Sequence, residues 1–228
     1  MSLPFIIYLR ALAMTLHTYL PQDRLRAIAN NTILPDRTSG SALFADISGF
    51  TALTESLRER FGTRQGAEEL TKQLGSVYSA LIAEIEKVGG SVIGFAGDAM
   101  MCWIETNTEG RMEHGEYEDS ALHPVSCAFG MQAAIKRFPE LGLKVAVTSG
   151  AARRFVVGDQ EIQKLDALAG TTVARASTAE HHAVKGDVLL DEVTTNTLGD
   201  SVVVKEWRSD EDGERFAVIS NKQILGDI

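Results

Sequence analysis

Apolar residues fall into short blocks separated by stretches with helical spacing. Ala42 to Ile47 is apolar but for Asp46, the pattern of a central strand. Phe50–Arg60 and Gln65–Val88 carry apolar residues at helical spacing, with a break near Phe61-Gly62-Thr63. Gly89-Gly90 ends the second helix. Val92–Ala96 and Ala99–Ile104 flank Gly97-Asp98, which predicts a hairpin. A polar loop follows from Glu105 to Glu118, then a helix over Asp119–Phe138 and a strand over Lys144–Thr148. Arg154–Val157 and Ile162–Leu168 read as further strands, Gly170–Val184 as a helix, Val188–Leu190 as a strand and Glu192–Leu198 as a short helix. Val202–Trp207 and Phe216–Ser220 pair across the charged Arg208–Glu214 turn. This order predicts an α+β sandwich with helices on one face of the sheet.

The N-terminal stretch places Phe5, Ile6, Leu9, Leu12, Ala13, Leu16 and Leu20 on one helical stripe. Arg10 and His17 interrupt it and it is short, so it predicts a docking helix and no membrane span. Pro21–Ala29 reads as a second short helix and Asn30–Gly40 as a turn-rich linker. Residues 1–38 thus form a helical extension and linker ahead of one domain over 39–228.

Composition narrows the class. The 228 residues suit one full-sized domain plus extensions; they are 44% hydrophobic and 23% charged, ordinary for a globular protein. A net charge of −9 gives no general attraction to nucleic acid or anionic lipid. Cys102 and Cys127 are too few for a disulfide framework and lie among apolar neighbours, which predicts buried, reduced thiols in a cytoplasmic protein. Met100, Met101 and Trp103 read as core, and the loop with His114 as solvated. His181-His182 falls at a helix end, where cap-side charge is the simple account.

The informative chemistry is a pair of acids fifty-two positions apart, Asp46 and Asp98, each at the end of an apolar strand. A carboxylate there is costly unless a charge meets it. Two of them brought together share hard cations such as Mg²⁺, leaving coordination positions for phosphate. Ser48-Gly49-Phe50-Thr51 leads into the next helix, whose free N–H groups favour anionic oxygens; an ordinary Ser or Thr cap is compatible with the same residues. Arg153-Arg154 falls on a strand, so at most one side chain faces any given site; solvated edge-strand charge is the simpler reading.

The Phe44–Thr51 string and the Gly94–Trp103 string, in this order, resemble the metal-binding motifs of class III nucleotidyl cyclases. The resemblance runs from about Ser41 to Asp191. Thr18–Ser41, with Leu20-Pro21 and Leu34-Pro35-Asp36-Arg37-Thr38, is similar to the first of the two tandem cyclase domains in soluble, bicarbonate-responsive adenylate cyclases. The resemblance implies a ferredoxin-like sandwich, a central mostly antiparallel sheet with flanking helices. It implies two Mg²⁺ or Mn²⁺ ions on Asp46, Asp98 and the Ile47 carbonyl, and a triphosphate at Ser48, Gly49, Phe50 and Thr51. It also implies that base-reading and transition-state residues come from the other side of a dimer.

Anchored on Gly170-Thr171-Thr172-Val173, those second-set positions here are Gly94, Ala167, Ala174 and Thr178. None of them can read a base or carry positive charge. Asp166 and Arg175 lie one and three residues off register. The expectation is a metal-bearing half-cyclase acting on ATP with a complementary cyclase domain, in the same or another chain, and with little turnover alone. GTP as substrate stays open, because the residues that choose the base are absent. Two further readings remain: a degenerate module that binds nucleotide or a small anion or dimerises, and another two-metal nucleotidyl transferase. The Lys associated with bicarbonate in that group is Gly94 here, against a bicarbonate response.

Overall fold

The computed structural model describes residues 20–106, 122–159 and 163–221. The N-terminal stripe up to Leu16, the polar loop from 107 onward and residues 119–121 of the predicted helix lie outside them. One sheet of eight strands carries the described chain, in the order β2-β3-β1-β4-β6-β8-β7, with β5 paired to β4. The strands are β1 (Arg37–Ser48), β2 (Ser91–Ala96), β3 (Ala99–Glu105), β4 (Gly142–Asp159), β5 (Gln163–Ala169), β6 (Val188–Asp191), β7 (Val203–Ser209) and β8 (Arg215–Ser220). The helices are α1 (Gln22–Ala29), α2 (Phe50–Lys87), α3 (His123–Ile135), α4 (Thr171–His182) and α5 (Glu192–Leu198). All pairings are antiparallel except β4 with β6. No described helix is long and apolar enough to cross a membrane.

The helices cover both faces of the sheet, a departure from the single covered face the pattern predicts. Leu43, Ala45 and Ile47 of β1 pack with Leu53, Leu57, Val77, Leu81 and Ile85 of α2 and with Val125, Cys127, Ala128 and Met131 of α3. Ala42 lies on the opposite face with Trp103 and Ala176 of α4, while Ala146 packs with Ala179. An unbroken apolar strand needs cover on both sides, so the β1 run itself carried that information. Small residues at 172, 176 and 179 let α4 sit close to the sheet.

Two further boundaries differ. β1 begins at Arg37, inside the expected linker, because Thr38 Oγ1 donates to Glu105 Oε1 at 2.5 Å and the pairing with β4 already starts there. Lys144–Thr148 and Arg154–Val157 belong to one continuous strand. β1 pairs with β4 from Gly142 to Arg153 and carries the ladder across Ser149-Gly150. Trp103 lies over that crossing: a Cβ on Gly40 would stand 2.7 Å from the indole, so only glycine fits there. The α2 break falls at Gly62, inside the expected Phe61-Gly62-Thr63, with φ 76° and ψ 173°. The two cysteines are free and buried, as expected, and burial pushes the Cys127 thiol up to about 12.

Candidate active site

β1 and β3 bring Asp46 and Asp98 to one end of two neighbouring strands. Asp46 lies opposite Ala99 in the ladder, and the Ile47 N–H donates to the Asp98 carbonyl at 3.4 Å. Asp98 itself is exposed in the Gly97 turn, where Gly97 has φ 65°. Asp46 is 19% exposed and meets Lys144 Nζ at 3.1 Å. Lys144 in turn stands 2.6 Å from Glu180 Oε1 on α4. Burial disfavours the Lys144 ammonium, but Glu180 and then Asp46 more than offset it, so its pKa lies above the ordinary lysine value. Burial, then Asp98, then Asp46 push the Tyr78 hydroxyl of α2 upward, so both carboxylates act on one phenol. Its ring meets Phe95 edge-on at 5.2 Å.

Immediately after Asp46, the chain turns into α2 through Ser48 and Gly49. Gly49 is left-handed at φ 101°, and a Cβ there would stand 2.5 Å from the Glu140 carbonyl, so no other residue fits. As N-cap, Gly49 has no side chain to offer the first N–H groups of α2, which leaves the helix start to another acceptor. Its carbonyl accepts from Leu53, and Phe50 packs on the core while Thr51 is exposed. Ser48, Gly49, Phe50 and Thr51 thus adjoin the Asp46–Asp98 pair.

The donor set fits hard divalent cations in part. Among the described residues, no three His, Cys, Asp or Glu side chains converge into a closed metal site. Two carboxylates and backbone carbonyls beside a bare helix start suit ions that draw their remaining ligands from water and phosphate.

Elsewhere, the second-set positions are neutral and open. Gly94 follows a bulge in β2 and has open space around a built Cβ. Ala167 lies opposite Phe155 in the β4–β5 ladder. Ala174 and Thr178 sit one turn apart on α4, and the Thr178 hydroxyl donates back to the Ala174 carbonyl at 3.2 Å. The off-register residues are already engaged. Asp166 accepts from Arg24 and Arg154, which hold its carboxyl below the usual range despite burial. Arg175 pairs with Asp191 and donates to the Ser149 carbonyl at 2.7 Å. Arg154 is 5% exposed and also binds Asp23, which corrects its reading as a solvated edge charge: two carboxylates neutralise it in the interior. Arg153 is exposed and pairs with Asp36.

Sequence reasoning missed Lys144, Glu180 and Tyr78. Lys144 had one available signal, a lone charge within Leu143–Val147. The other two come to the site only through tertiary packing.

With this geometry in view, the relatives are informative. Residues 37–216 match the family model of the adenylate and guanylate cyclase catalytic domain. The chain belongs to the adenylate and guanylate cyclase family. It is 28% identical over 162 residues to adenylate cyclase type 10 of Oryctolagus cuniculus, covering 68% of this chain and 10% of that protein. The chain spans about a tenth of the length of the curated relatives it matches. Among solved structures, the adenylyl cyclase CyaB from P. aeruginosa aligns with TM-score 0.65 at 20% identity, over 82% of this chain and 97% of that one. The guanylyl cyclase Cya2 aligns with TM-score 0.64 at 21% identity, over 82% and 94%. The class III cyclase fold expected from the motifs is the fold observed.

Proposed function

We propose that this chain is the metal-bearing half of an adenylate cyclase, converting ATP to 3′,5′-cyclic AMP and pyrophosphate when paired with a complementary cyclase domain. The observation that carries the reading is the meeting of Asp46 and Asp98 beside the uncapped start of α2. Asp46, Asp98 and the Ile47 carbonyl would hold two Mg²⁺ or Mn²⁺ ions. When bound, such ions supply Lewis-acid activation of the ribose 3′-hydroxyl and neutralise the departing pyrophosphate. The chain's own residues do the rest of the positioning. Free N–H groups at Gly49, Phe50 and Thr51, with the Ser48 turn, receive phosphate oxygens. Lys144 adds a fixed positive charge at the same end of the sheet. The 3′-hydroxyl gives its proton to solvent as its oxygen attacks the α-phosphorus, the bond to the bridging oxygen breaks, and pyrophosphate leaves with that electron pair.

The partner domain completes the site. Gly94, Ala167, Ala174 and Thr178 supply neither base recognition nor transition-state charge. A symmetric homodimer repeats the same half-site, so the chain alone turns over little. In this reading the cyclase domain is 39–228 together with Arg37 and Thr38, which open β1, and the residues before them are an extension. The free buried thiols fit a cytoplasmic setting.

Cyclic-nucleotide production with Mn²⁺ and either ATP or GTP tests the proposal, for the chain alone and with a base-reading cyclase domain. Activity that needs the partner and vanishes in Asp46→Ala and Asp98→Ala supports it. Product from GTP and not ATP makes the pair a guanylate cyclase. A second reading, a regulatory module without turnover, is favoured by one observation: Lys144 already compensates Asp46, so the fold balances this charge without metal. Silence in a mixture where the partner demonstrably binds selects that reading.

A further inference from the structure

Lys144 faces two carboxylates at once and is held closer to the one that the proposed chemistry does not use. Its Nζ is 2.6 Å from Glu180 Oε1 and 3.1 Å from Asp46 Oδ2. The three side chains are largely enclosed, Lys144 at 22%, Asp46 at 19% and Glu180 at 13% exposure. Three elements meet here: β4 brings the ammonium, β1 one carboxylate and α4 the other. Asp46 and Glu180 share this one ammonium, which leaves the cluster one net negative charge. The same ammonium is the competitor of a divalent cation for Asp46, since like charges brought together on one partly enclosed carboxylate repel.

We propose that Glu180 is a positioning residue that holds the Lys144 ammonium back from Asp46 and so sets the affinity of the site for a divalent cation. The inference rests on the reading of Asp46 as a metal ligand. With Glu180 in place, Asp46 turns to an incoming cation and Lys144 keeps a partner, so its partly enclosed ammonium is not stranded. The lysine also stays charged and fixed where a phosphate would meet it. Without the Glu180 charge, the remaining carboxylate bonded to Lys144 is Asp46. The lysine then closes on it, and a cation must displace an ion pair to bind.

Mn²⁺ binding to the nucleotide-free chain, read from the electron paramagnetic resonance signal of free Mn²⁺, separates the outcomes. Glu180→Gln weakens binding about five- to tenfold, and Lys144→Met strengthens it. In the Lys144→Met background, Glu180→Gln changes affinity less than about twofold, because the competitor is gone. An equal loss with and without Lys144 overturns the proposal, since Glu180 then acts only as one more negative charge. Unchanged binding in Glu180→Gln overturns it as well. Asp46→Ala distinguishes the two levels: Mn²⁺ bound as in the unaltered chain removes the metal-site reading and this inference with it. Binding lost in Asp46→Ala but unchanged in Glu180→Gln removes only the role of Glu180. Metal-free melting curves establish that each variant folds. Glu180→Asp keeps the charge and shortens its reach, and gives an intermediate loss; affinity equal to that of Glu180→Gln overturns the proposal.

Discussion

Arg24 closes a two-pronged hydrogen bond on Asp166, Nε at 3.0 Å and Nη2 at 2.7 Å, across 142 residues of sequence. Arg154 joins from the other side and binds Asp23 as well, so four charges pin α1 against β4 and β5. Asp23 adds a backbone bond to the Ser91 hydroxyl at 2.9 Å. Asp166→Ala strips a buried arginine of one partner and Arg24 of its own, and destabilises the fold by about 3–5 kcal/mol. Arg24→Ala costs less, about 1–3 kcal/mol, because Arg154 still holds Asp166. Urea denaturation of the two variants checks the order; a larger loss from Arg24→Ala contradicts it.

The same carboxyl gives a pH dependence. Burial alone would raise the Asp166 pKa, but donation from Arg24 and Arg154 prevails and lowers it. A carboxylate with a depressed folded pKa contributes stability that is complete above its unfolded value, about 3.9, and drains away as pH falls through the folded value. The unaltered chain therefore loses stability more steeply below about pH 4 than Asp166→Asn does. Chemical denaturation across pH 3–6 measures the difference; parallel curves would exclude the linkage.

Gly49→Ala forces a side chain into a left-handed residue 2.5 Å from the Glu140 carbonyl. The expected cost is at least about 1–3 kcal/mol, together with a displaced start of α2. Thermal melting and nucleotide binding are both expected to fall, with the nucleotide loss exceeding that of Gly62→Ala, which alters the kink well along α2.

Restoring the second set is the direct test of the half-site. Gly94→Lys, Ala167→Asp, Ala174→Asn and Thr178→Arg together would give a homodimer of this chain complete sites. Gly94 has room for the new side chain. Cyclic-nucleotide output of the chain alone rises by about 10³-fold or more. A folded quadruple variant that stays silent argues against the placement of these four positions.

Cys127 is 3% exposed with its thiol pushed up to about 12, and Cys102 is fully buried. Alkylation at pH 8 is therefore slow and follows global unfolding, accelerating in parallel with urea-induced loss of helix. Rapid modification of either thiol in the native chain would show local opening of the β3–α3 contact.

Local signals carried most of the fold. Apolar runs and glycine punctuation located α1, the α2 break, the β2–β3 hairpin, α5 and the β7–β8 pair, because each depends on nearby residues. Asp46 and Asp98 were legible for the same reason: a lone acid after an apolar run stands out, and the motif around each is local. Lys144, Glu180 and Arg154 were not. Their roles follow from register, since Lys144 meets Asp46 only because those residues pair across β1 and β4. Arg154 looked like a solvated charge because its neutralising partners, Asp23 and Asp166, come from distant segments.

Strand β4 spans 18 residues and carries Lys144 near one end of the sheet and Arg154 toward the other, roughly 33 Å apart at about 3.3 Å per residue. Ten residues of even parity put both on one face. A single insertion or deletion between them would turn one end over relative to the other, pointing either Lys144 or Arg154 away from its carboxylates. The spacing of ten thus acts as a gauge: this strand tolerates exchange of side chains far more readily than a one-residue change in its length.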